Sequence, residues 1–544
     1  MARESLIELR KDTAADWTSA DPTLNSGECG FEEDTGLLKI GDGSTAWTSL
    51  EYIQRDQARI IGIRWKTDAT SPTLAYVDIN KNVITLPSTF FDDHVIWGHI
   101  RRCTLTDAGI ATYGSNARGT GLTLDGTTGN VMVECPKFWW KCEYESPYLY
   151  IWYSPIETTG FEVHPWFYQR DNVGSPADHA YWSAYEATLK DADGTLELLS
   201  KTGEQPLTGY WSASLDGFWK LSYTGGGTTE IVAGETLTGA TSGATGVVVT
   251  HGTTGGTWGG GDAAGDIYVK THNNSTAFQS ENLNGSTAGD DCCTIGAAGS
   301  SLGFVIADSE TYGNNVGAGW GSENFWAWNA RQILMYADIG SLQAQTALTT
   351  KARGVVDKAS GTGFAGEETG ADSADTNVGT NGTGSGTGTD GLTPVVWRGC
   401  ENPYGNVYTF ITGYIAIDAA YHIIKKIGIA TADIDTTLGA GTYDTSAAAP
   451  ITSDGYISDV VNNDAMLMGA FIPSETSGSE TTYVCDRFYA HDAGETNSLS
   501  GGGDWYHGGN GGPGFLVLCY DASFSDRYIG ARLEFIPARR EFIP

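Results

Sequence analysis

The residues best suited to molecular recognition lie near the C-terminus, beside two glycine-rich stretches. The glycines within residues 501–503 and 508–514 interrupt regular structure, so residues 504–507 lie on or between loops. Tyrosine offers a large amphipathic contact surface at low entropic cost, and small polar side chains adapt their hydrogen bonds. The same residue types also occur in ordinary exposed loops. The candidate ligand-binding residues are Asp504, Tyr506, His507, Asn510, Tyr520, Asp521, Ser523, Phe524, Ser525, Asp526 and Tyr528.

The segments around these candidates predict how they are arranged. Residues 515–519 form an apolar run of strand length, and residues 520–528 form a polar and aromatic loop before a strand at 529–532. Two loops that flank one short strand are expected to emerge close together, whereas Trp505 and Arg532 are expected to hold the scaffold. Exposed aromatic side chains are costly unless they serve contact. We therefore predict one exposed surface, distal to the N-terminus, formed by Tyr506, His507, Asn510, Tyr520, Phe524, Asp526 and Tyr528.

Motifs for catalysis or metal binding are weak in this chain. It has no HExxH helix, P-loop or paired CxxC motif, and the GxGxxG pattern at 361–366 lies in a low-complexity stretch instead of following a strand. A glycosidase needs two carboxylates at a fixed separation, and 66 acidic residues do not single out such a pair. Residues 191–194, Asp-Ala-Asp-Gly, have oxygen ligands for calcium, but the rest of an EF-hand loop is missing and a polar turn is favoured. We expect no enzyme activity, no cofactor and no metal.

The cysteines and tryptophans fit structural roles. Of the nine cysteines only Cys135/Cys142 and Cys292/Cys293 are close in sequence, and neither pair has a second pair to complete a metal site. We expect reduced, mostly buried thiols. The tryptophan-rich motifs suggest either a sugar-stacking groove or core packing, and core packing is favoured because large aromatic side chains dominate core burial. These tryptophans are Trp139, Trp140, Trp320, Trp326, Trp328 and Trp397.

Composition argues against several classes of partner. A net charge of -35 disfavours nucleic acid, because phosphate binding requires clustered lysine and arginine, and it disfavours anionic membrane surfaces. The chain contains no apolar stretch of about 18 residues that would predict membrane insertion. No apolar segment follows Met1, so we expect no signal peptide. The 73 glycines and 17 tryptophans predict short strands and long ordered loops.

Residues 1–55 predict a small β unit and carry a family resemblance. Short alternating runs at 6–9, 30–32 and 37–40 are separated by turns, which predicts hairpins without enough apolar residues for an independent core. The residues that carry the resemblance are Trp17, Gly27-Glu28, Gly30-Phe31-Glu32, Asp34-Thr35-Gly36, Lys39-Ile40-Gly41-Asp42-Gly43, Trp47 and Tyr52. The segment resembles the N-terminal repeat of phage tail fibres and of the major tropism determinant family. That resemblance implies that the unit forms a homotrimer and attaches it to other virion tail or baseplate proteins.

The rest of the chain resembles a C-type-lectin-like domain of phage tail proteins, interrupted by an insertion. The motifs lie at 132–140, 317–320 and 397–407, and residues 322–342 predict a core helix capped by Ser322. A shift to Gly, Thr and Ser sets the insertion apart. We predict a mainly β fold with an α+β C-type-lectin-like domain. Its segments are the N-terminal unit at 1–55, the first lectin-like part at 56–221, the inserted β module at 222–297, and the second lectin-like part with the binding loops at 298–544.

The lectin-like resemblance adds one alternative and one argument. The fold is related to formylglycine-generating enzymes, which place two reactive cysteines in their C-terminal part. Cys485 and Cys519 are the late cysteines here, and two structural thiols are the favoured interpretation. The spacing of the last segment also resembles the region that diversity-generating retroelements vary in this family, which supports the candidate binding face.

Together these observations predict a virion protein synthesised in the host cytoplasm. As a homotrimeric tail fibre it would bind a protein or glycan receptor on the host cell surface through its C-terminal loops, and repeated weak sites would act by avidity. A purely structural virion protein, such as a head fibre, baseplate or decoration protein, is the alternative. An oxidase or glycan hydrolase is a third possibility.

Overall fold

Short strands joined by loops make up most of the molecule, as the composition predicts. A computed structural model describes residues 10–34, 38–50, 52–53, 60–170, 172, 175–192, 194–210, 215–271, 274–347, 354–356, 380–381, 383–385, 391–426 and 443–538. The GxGxxG pattern at 361–366 and Asp193 of the acidic turn lie outside the described residues. No helix in the described ranges is long and apolar enough to cross a membrane.

The N-terminal unit is a four-stranded sheet with one short helix. Its elements are β1 (Arg10–Asp12), α1 (Ala14–Ala20), β2 (Cys29–Glu32), β3 (Leu38–Ile40) and β4 (Tyr52–Ile53). The strands lie in the order β1-β2-β3-β4, and the Thr13 side chain caps α1. The rings of Trp17 and Trp47 stack with their centroids 4.1 Å apart, and Leu24 completes the apolar cluster of this unit. Within the described residues the core of the unit is therefore small, as its sequence predicts.

The next part of the chain supplies the first strands of the large domain. Its elements are β5 (Ile61–Lys66), β6 (Ala75–Val77), α2 (Phe90–Asp93), β7 (Arg101–Leu105), β8 (Ala111–Tyr113), β9 (Asn130–Pro136), β10 (Trp139–Glu145), β11 (Tyr148–Ser154), β12 (Glu162–Val163), β13 (His179–Ser183), β14 (Thr188–Ala192) and β15 (Thr195–Leu199). One sheet has the strand order β12-β10-β11-β5-β6, so β12 lies at its edge. Strands β14 and β15 form an antiparallel hairpin.

A separate sheet follows and closes on itself. Its strands are β16 (Gly217–Gly226), β17 (Thr236–Gly239), β18 (Thr245–Gly255), β19 (Ala263–Thr271), β20 (Glu281–Gly285), β21 (Gly289–Ile295) and β22 (Ser300–Ser301). The order is β19-β18-β17-β20-β21-β16-β22, and β16 also pairs with β19, which closes a small barrel. Its interior contains Leu221, Val248 and Ile267 among other apolar side chains. The barrel begins before residue 222 and ends after residue 297, because β16 and β22 belong to it.

The chain then returns to the large domain. The elements are α3 (Ile306–Asn315), β23 (Trp320–Ser322), α4 (Phe325–Ile339), α5 (Ala344–Ala347), β24 (Gly354–Val355), β25 (Gly384–Ser385), β26 (Leu392–Thr393), β27 (Val395–Trp397), β28 (Cys400–Glu401), β29 (Tyr408–Ile417), β30 (Ala420–Ile424), β31 (Tyr443–Thr445), β32 (Gly455–Tyr456), β33 (Asp459–Val460), β34 (Pro473–Glu475), β35 (Arg487–Tyr489), β36 (Thr496–Gly502), β37 (Gly512–Tyr520), β38 (Ile529–Gly530) and β39 (Leu533–Phe535). One sheet has the order β23-β39-β13-β9-β7-β8. It combines strands from both sides of the barrel, so the barrel interrupts one continuous domain.

Helix α4 is the core helix that the sequence predicts, with a different start. Asn324 caps it by accepting hydrogen bonds from the backbone N–H groups of Trp326 and Ala327, whereas Ser322 pairs with Leu533 in the sheet. Every residue from 325 to 337 is buried, so the helix is enclosed on all sides instead of presenting one apolar face. Its polar side chains have partners inside the core. Gln332, for example, donates to the backbone carbonyl of Pro513 at 3.0 Å.

A buried ionic cluster connects the two halves of the large domain. Arg170 Nε lies 2.7 Å from a carboxylate oxygen of Glu534 in β39, and its guanidinium also pairs with Glu310 in α3. A further guanidinium N–H donates to the Ser322 carbonyl at 2.7 Å. The side chains of Arg170 and Glu534 are fully buried. Burial raises the pKa of Glu534 to about 7, and the adjacent Arg170 opposes that increase.

The barrel shares part of its surface with the large domain. Phe218, Val249 and Tyr268 of the barrel pack in the same apolar cluster as Leu189 and Leu198 of the β14–β15 hairpin. Removing the barrel therefore exposes apolar side chains of the hairpin.

Replacing residues 217–301 with a short Gly-Ser linker is expected to leave a cooperatively folded domain. We expect its free energy of unfolding to fall by about 2–3 kcal/mol, because hairpin leucines lose their cover. Chemical denaturation of the full chain and the excised chain measures the difference. Loss of any cooperative transition in the excised chain would show that the barrel is not separable.

Candidate binding face

Strands β29, β36 and β37 of the largest sheet support the candidate residues. The loop of residues 503–511 joins β36 to β37, and residues 521–528 follow the opposite end of β37. The two loops thus leave β37 at opposite ends, which differs from the expected arrangement. They still meet, because the second loop returns along the sheet until β38 pairs in parallel with the start of β29, Tyr408 opposite Ile529.

Five of the candidate side chains form two aromatic groups. The rings of Tyr520 and Phe524 stack at 3.6 Å, and Phe524 lies 6.0 Å from Tyr528. The hydroxyl groups of Tyr520 and Tyr528 are 3.1 Å apart. Tyr506 and His507 are neighbours with ring centroids at 4.8 Å.

Two tyrosines outside the candidate set contact these groups, and one of them, Tyr408, joins the two groups and so brings residues from both predicted loops together. Tyr408 of β29 lies 5.3 Å from the ring of His507 and 5.4 Å from that of Tyr528. The hydroxyl of Tyr489 lies 3.4 Å from His507 Nε2. Tyr408 directly follows the motif at 397–407, so an extension of that motif would have identified it. Tyr489 carries no comparable local signal, since it comes from a different strand.

Asp504, one of the candidate ligand-binding residues, is fully buried. One of its carboxylate oxygens lies 2.5 Å from His507 Nδ1 and accepts the backbone N–H of Tyr506 at 3.1 Å. With Nδ1 donating to Asp504, His507 Nε2 accepts from the Tyr408 hydroxyl at 2.9 Å. Burial raises the pKa of Asp504, and His507 opposes that increase. Asp504 thus positions the two ring-bearing residues above it instead of facing solvent.

The other candidates differ in how much they face solvent. Tyr506 is 48% exposed, and Asp521 and Ser523 are also exposed. The remaining members are half-buried, namely His507, Asn510, Tyr520, Phe524, Ser525, Asp526 and Tyr528. Tyr528 packs against the apolar cluster of Val407 and Trp505, so it contributes to the fold as well as to the surface. Replacing Tyr506, Tyr520 and Tyr528 together by alanine is therefore expected to reduce stability more than the sequence predicts.

Polar anchors hold the second loop against the base of the barrel. Arg527 pairs with the buried carboxylate of Asp216 at 2.7 Å, just before β16 begins. Burial raises the pKa of the neighbouring Asp526 to about 6, and the backbone N–H of Arg527 opposes that increase. Asp521 accepts hydrogen bonds from the backbone and hydroxyl of Ser523 at 2.7 and 2.6 Å. The exposed end of this loop is thereby fixed by its own side chains.

A buried carboxyl group lies beneath the first loop. Asp486 accepts the backbone N–H of Gly514 at 2.7 Å and lies 3.4 Å from the Tyr336 hydroxyl of α4. A Cβ atom on Gly512 would come within 2.0 Å of an Asp486 oxygen, so only glycine fits at that position. Burial raises the pKa of Asp486 to about 8, and its hydrogen bonds oppose that increase.

The described residues also bear on two other kinds of chemistry, metal binding and reactive cysteines. No group of three or more His, Cys, Asp or Glu side chains in that part of the chain is placed to hold a metal ion. The nine cysteines are free thiols, and burial raises the pKa of Cys519 to about 11, which disfavours the reactive thiolate. Trp505 and Arg532 are buried scaffold residues, as expected. Trp140, Trp320, Trp326, Trp328 and Trp397 are buried core residues, and Trp139 is half-buried.

Comparison with known proteins identifies the N-terminal unit. Residues 7–45 match the family model of the major tropism determinant N-terminal domain. A hyaluronoglucosaminidase of Streptococcus pyogenes phage H4489A is 38% identical over 47 residues, which are 9% of this chain and 13% of that protein. The chain thus spans only a small part of that curated relative.

Similar solved structures include two variants of the major tropism determinant. The U1 variant is 11% identical over 97% of this chain and 99% of that chain, with a TM-score of 0.22. The P3c variant is 12% identical over the same shares, with a TM-score of 0.18. At these TM-scores the superpositions carry no argument about the large domain. Residues 7–45 are therefore the part of the chain that is similar to the major tropism determinant family, through its N-terminal domain.

Proposed function

We propose that this chain is a virion tail-fibre protein that attaches a phage to a receptor on its host cell through the candidate binding face. The match of residues 7–45 to the major tropism determinant N-terminal domain carries the proposal. The aromatic side chains of the candidate binding face also favour the proposal, because aromatic side chains dominate the binding energy at protein interfaces. These side chains are Tyr506, His507, Tyr520 and Phe524. The large domain, in which strands from both sides of the barrel enclose α4, is proposed to be C-type-lectin-like.

Loss of the exposed aromatic ring of Tyr506 is expected to weaken binding to host cells. A central aromatic contact contributes about 2 kcal/mol, so Tyr506→Ala should weaken binding of the full chain by about 30-fold. Because Tyr506 is 48% exposed, the melting temperature should change little. Binding of labelled protein to host cells, and competition with phage adsorption, measure the effect.

The matched control is Ile110→Ala, which removes an apolar side chain that is 62% exposed in the turn between β7 and β8. It should leave cell binding unchanged. Equal binding by the Tyr506→Ala variant and the natural chain would contradict the proposed site. If the natural chain itself fails to bind host cells or to compete with adsorption, a purely structural virion role becomes the better explanation.

The N-terminal unit is proposed to form a homotrimer and to attach it to virion proteins. Its described core contains Trp17, Leu24 and Trp47 alone, which favours stabilisation by a partner chain. Light scattering of the full chain should give three times the mass of one 57.8 kDa chain, and deletion of residues 1–55 should reduce it. A stable monomer of the full chain at micromolar concentration would contradict this assignment.

A further inference from the structure

A concave surface lies at the edge of the sheet formed by β12, β10 and β11. It is an open cleft of about 670 Å³. Ligand pockets commonly have volumes of about 300–1,000 Å³ and combine aromatic walls with a few polar groups. Three aromatic side chains line this cleft, namely Trp139, Phe161 and Tyr168. Its position and residues are separate from those of the candidate binding face.

Strand alternation explains why Trp139 faces the cleft while its neighbour is buried. Successive side chains of β10 point to opposite sides of the sheet. Trp140 enters the core, where it lies 4.8 Å from the ring of His164. Trp139 is directed to the other side, opposite Val163 of the edge strand β12. The indole of Trp139 is half-buried and lines the cleft.

The rim of the cleft is polar, and its lysines are paired with carboxylates. Lys137 Nζ lies 2.5 Å from a carboxylate oxygen of Asp178 and 5.5 Å from the centre of the Trp139 ring. Lys426 pairs with Glu162 at 2.8 Å. Glu157 adds a further exposed carboxylate. The rim therefore offers hydrogen-bond donors and acceptors without an excess of positive charge.

We propose that this cleft binds a neutral saccharide, with one pyranose ring stacked on Trp139. A pyranose has an apolar C–H face that suits an aromatic ring and hydroxyl groups that suit a rim of carboxylates and ammonium groups. Paired lysines and a chain charge of -35 disfavour polyanionic ligands. This site is independent of the proposed receptor-binding face, so either assignment can fail alone.

Saturation-transfer NMR with the full chain tests the proposal directly. The probes are maltotriose and the trisaccharide of N-acetylglucosamine, each at up to ~10 mM, a range that detects millimolar dissociation constants. We expect transfer from the protein to ring protons of at least one trisaccharide. Trp139→Ala should weaken that binding at least about tenfold, and Trp139→Phe should retain part of it.

Two further variants separate a binding role from a structural one. Glu157→Gln changes an exposed rim residue and should weaken binding without lowering the melting temperature, even if Trp139→Ala does not fold. Tyr113→Ala, an aromatic residue outside the cleft that is 37% exposed, should leave saccharide binding unchanged. The proposal is overturned if neither neutral trisaccharide binds, if sialyllactose alone binds, or if both Trp139→Ala and Glu157→Gln bind as well as the natural chain.

Discussion

Replacing Arg170 by methionine is expected to lower the free energy of unfolding by about 3–5 kcal/mol at neutral pH, because it leaves two carboxylates buried without a cation. Arg170 pairs with Glu310 and Glu534, and both Arg170 and Glu534 are completely buried. The cluster ties β39, which lies directly after the binding loops, to α3. Chemical denaturation of the variant and the natural chain measures the change.

The loss of unfolding free energy in Arg170→Met should depend on pH. The pKa of Glu534 is already raised to about 7 with Arg170 present, so without the arginine Glu534 is expected to take up a proton more readily. The variant should therefore regain part of its stability at pH 5 relative to pH 8. Lys66→Met, which breaks the exposed pair with Asp68, is the matched control and should change stability by less than about 1 kcal/mol. A similar small effect for Arg170→Met would contradict the account of the cluster.

Replacing Asp486 by asparagine is expected to remove a large pH dependence of stability. Asp486 is an acid whose pKa burial raises to about 8 in the fold, well above its ordinary value of 3.8. Its stabilising contribution is fully present below about pH 4 and is lost as the pH rises through 8. The difference between these two pKa values sets an upper limit on the order of 6 kcal/mol for this contribution.

The measurement is the free energy of unfolding of the natural chain and of Asp486→Asn between pH 4 and pH 9. Asparagine preserves an acceptor for the Gly514 N–H, so the variant should be the more stable protein at pH 9. The free energy of unfolding of the natural chain, relative to that of Asp486→Asn, should fall as the pH rises from 4 to 9. Asp68→Asn, at an exposed carboxylate, is the control and should leave the pH profile unchanged. Parallel pH profiles for the natural chain and Asp486→Asn would show that Asp486 ionises without cost.

Local patterns predict much of this fold. The apolar run at 515–519 lies in β37, where residues 515–518 are buried and Cys519 is half-buried, and the aromatic pattern after residue 322 becomes α4. The helix cap is Asn324, two residues after the predicted cap Ser322. Ser322 pairs with β39 in a strand, and the side chain of Asn324 accepts hydrogen bonds from the first helical N–H groups. Pairing between strands that are distant in sequence decides such boundaries. A local sequence pattern carries no information about that pairing.

The sequence predicts the residue types of the candidate site, but it predicts only part of the geometry of that site. Turn residues correctly place Tyr506 and Phe524 in loops. The burial of Asp504 depends on the fold of the second loop along the sheet, and the roles of Tyr408 and Tyr489 depend on strands far away in sequence. The sequence groups Trp139 with the core tryptophans, because Trp139 and Trp140 are adjacent in one tryptophan-rich motif. In the fold, Trp139 pairs with Val163 of the edge strand and lines the open cleft, whereas Trp140 is buried.

The position of the chain in an intact virus particle tests the central claim most directly. Electron microscopy of particles labelled with one Fab against the N-terminal unit and another against residues 503–528 gives that position. The account predicts both labels on the tail, with the first nearer the particle and the second at the outer end, and it predicts that the second Fab blocks adsorption. Labels on the capsid, or a buried C-terminal face beneath the N-terminal unit, would contradict host attachment through this surface.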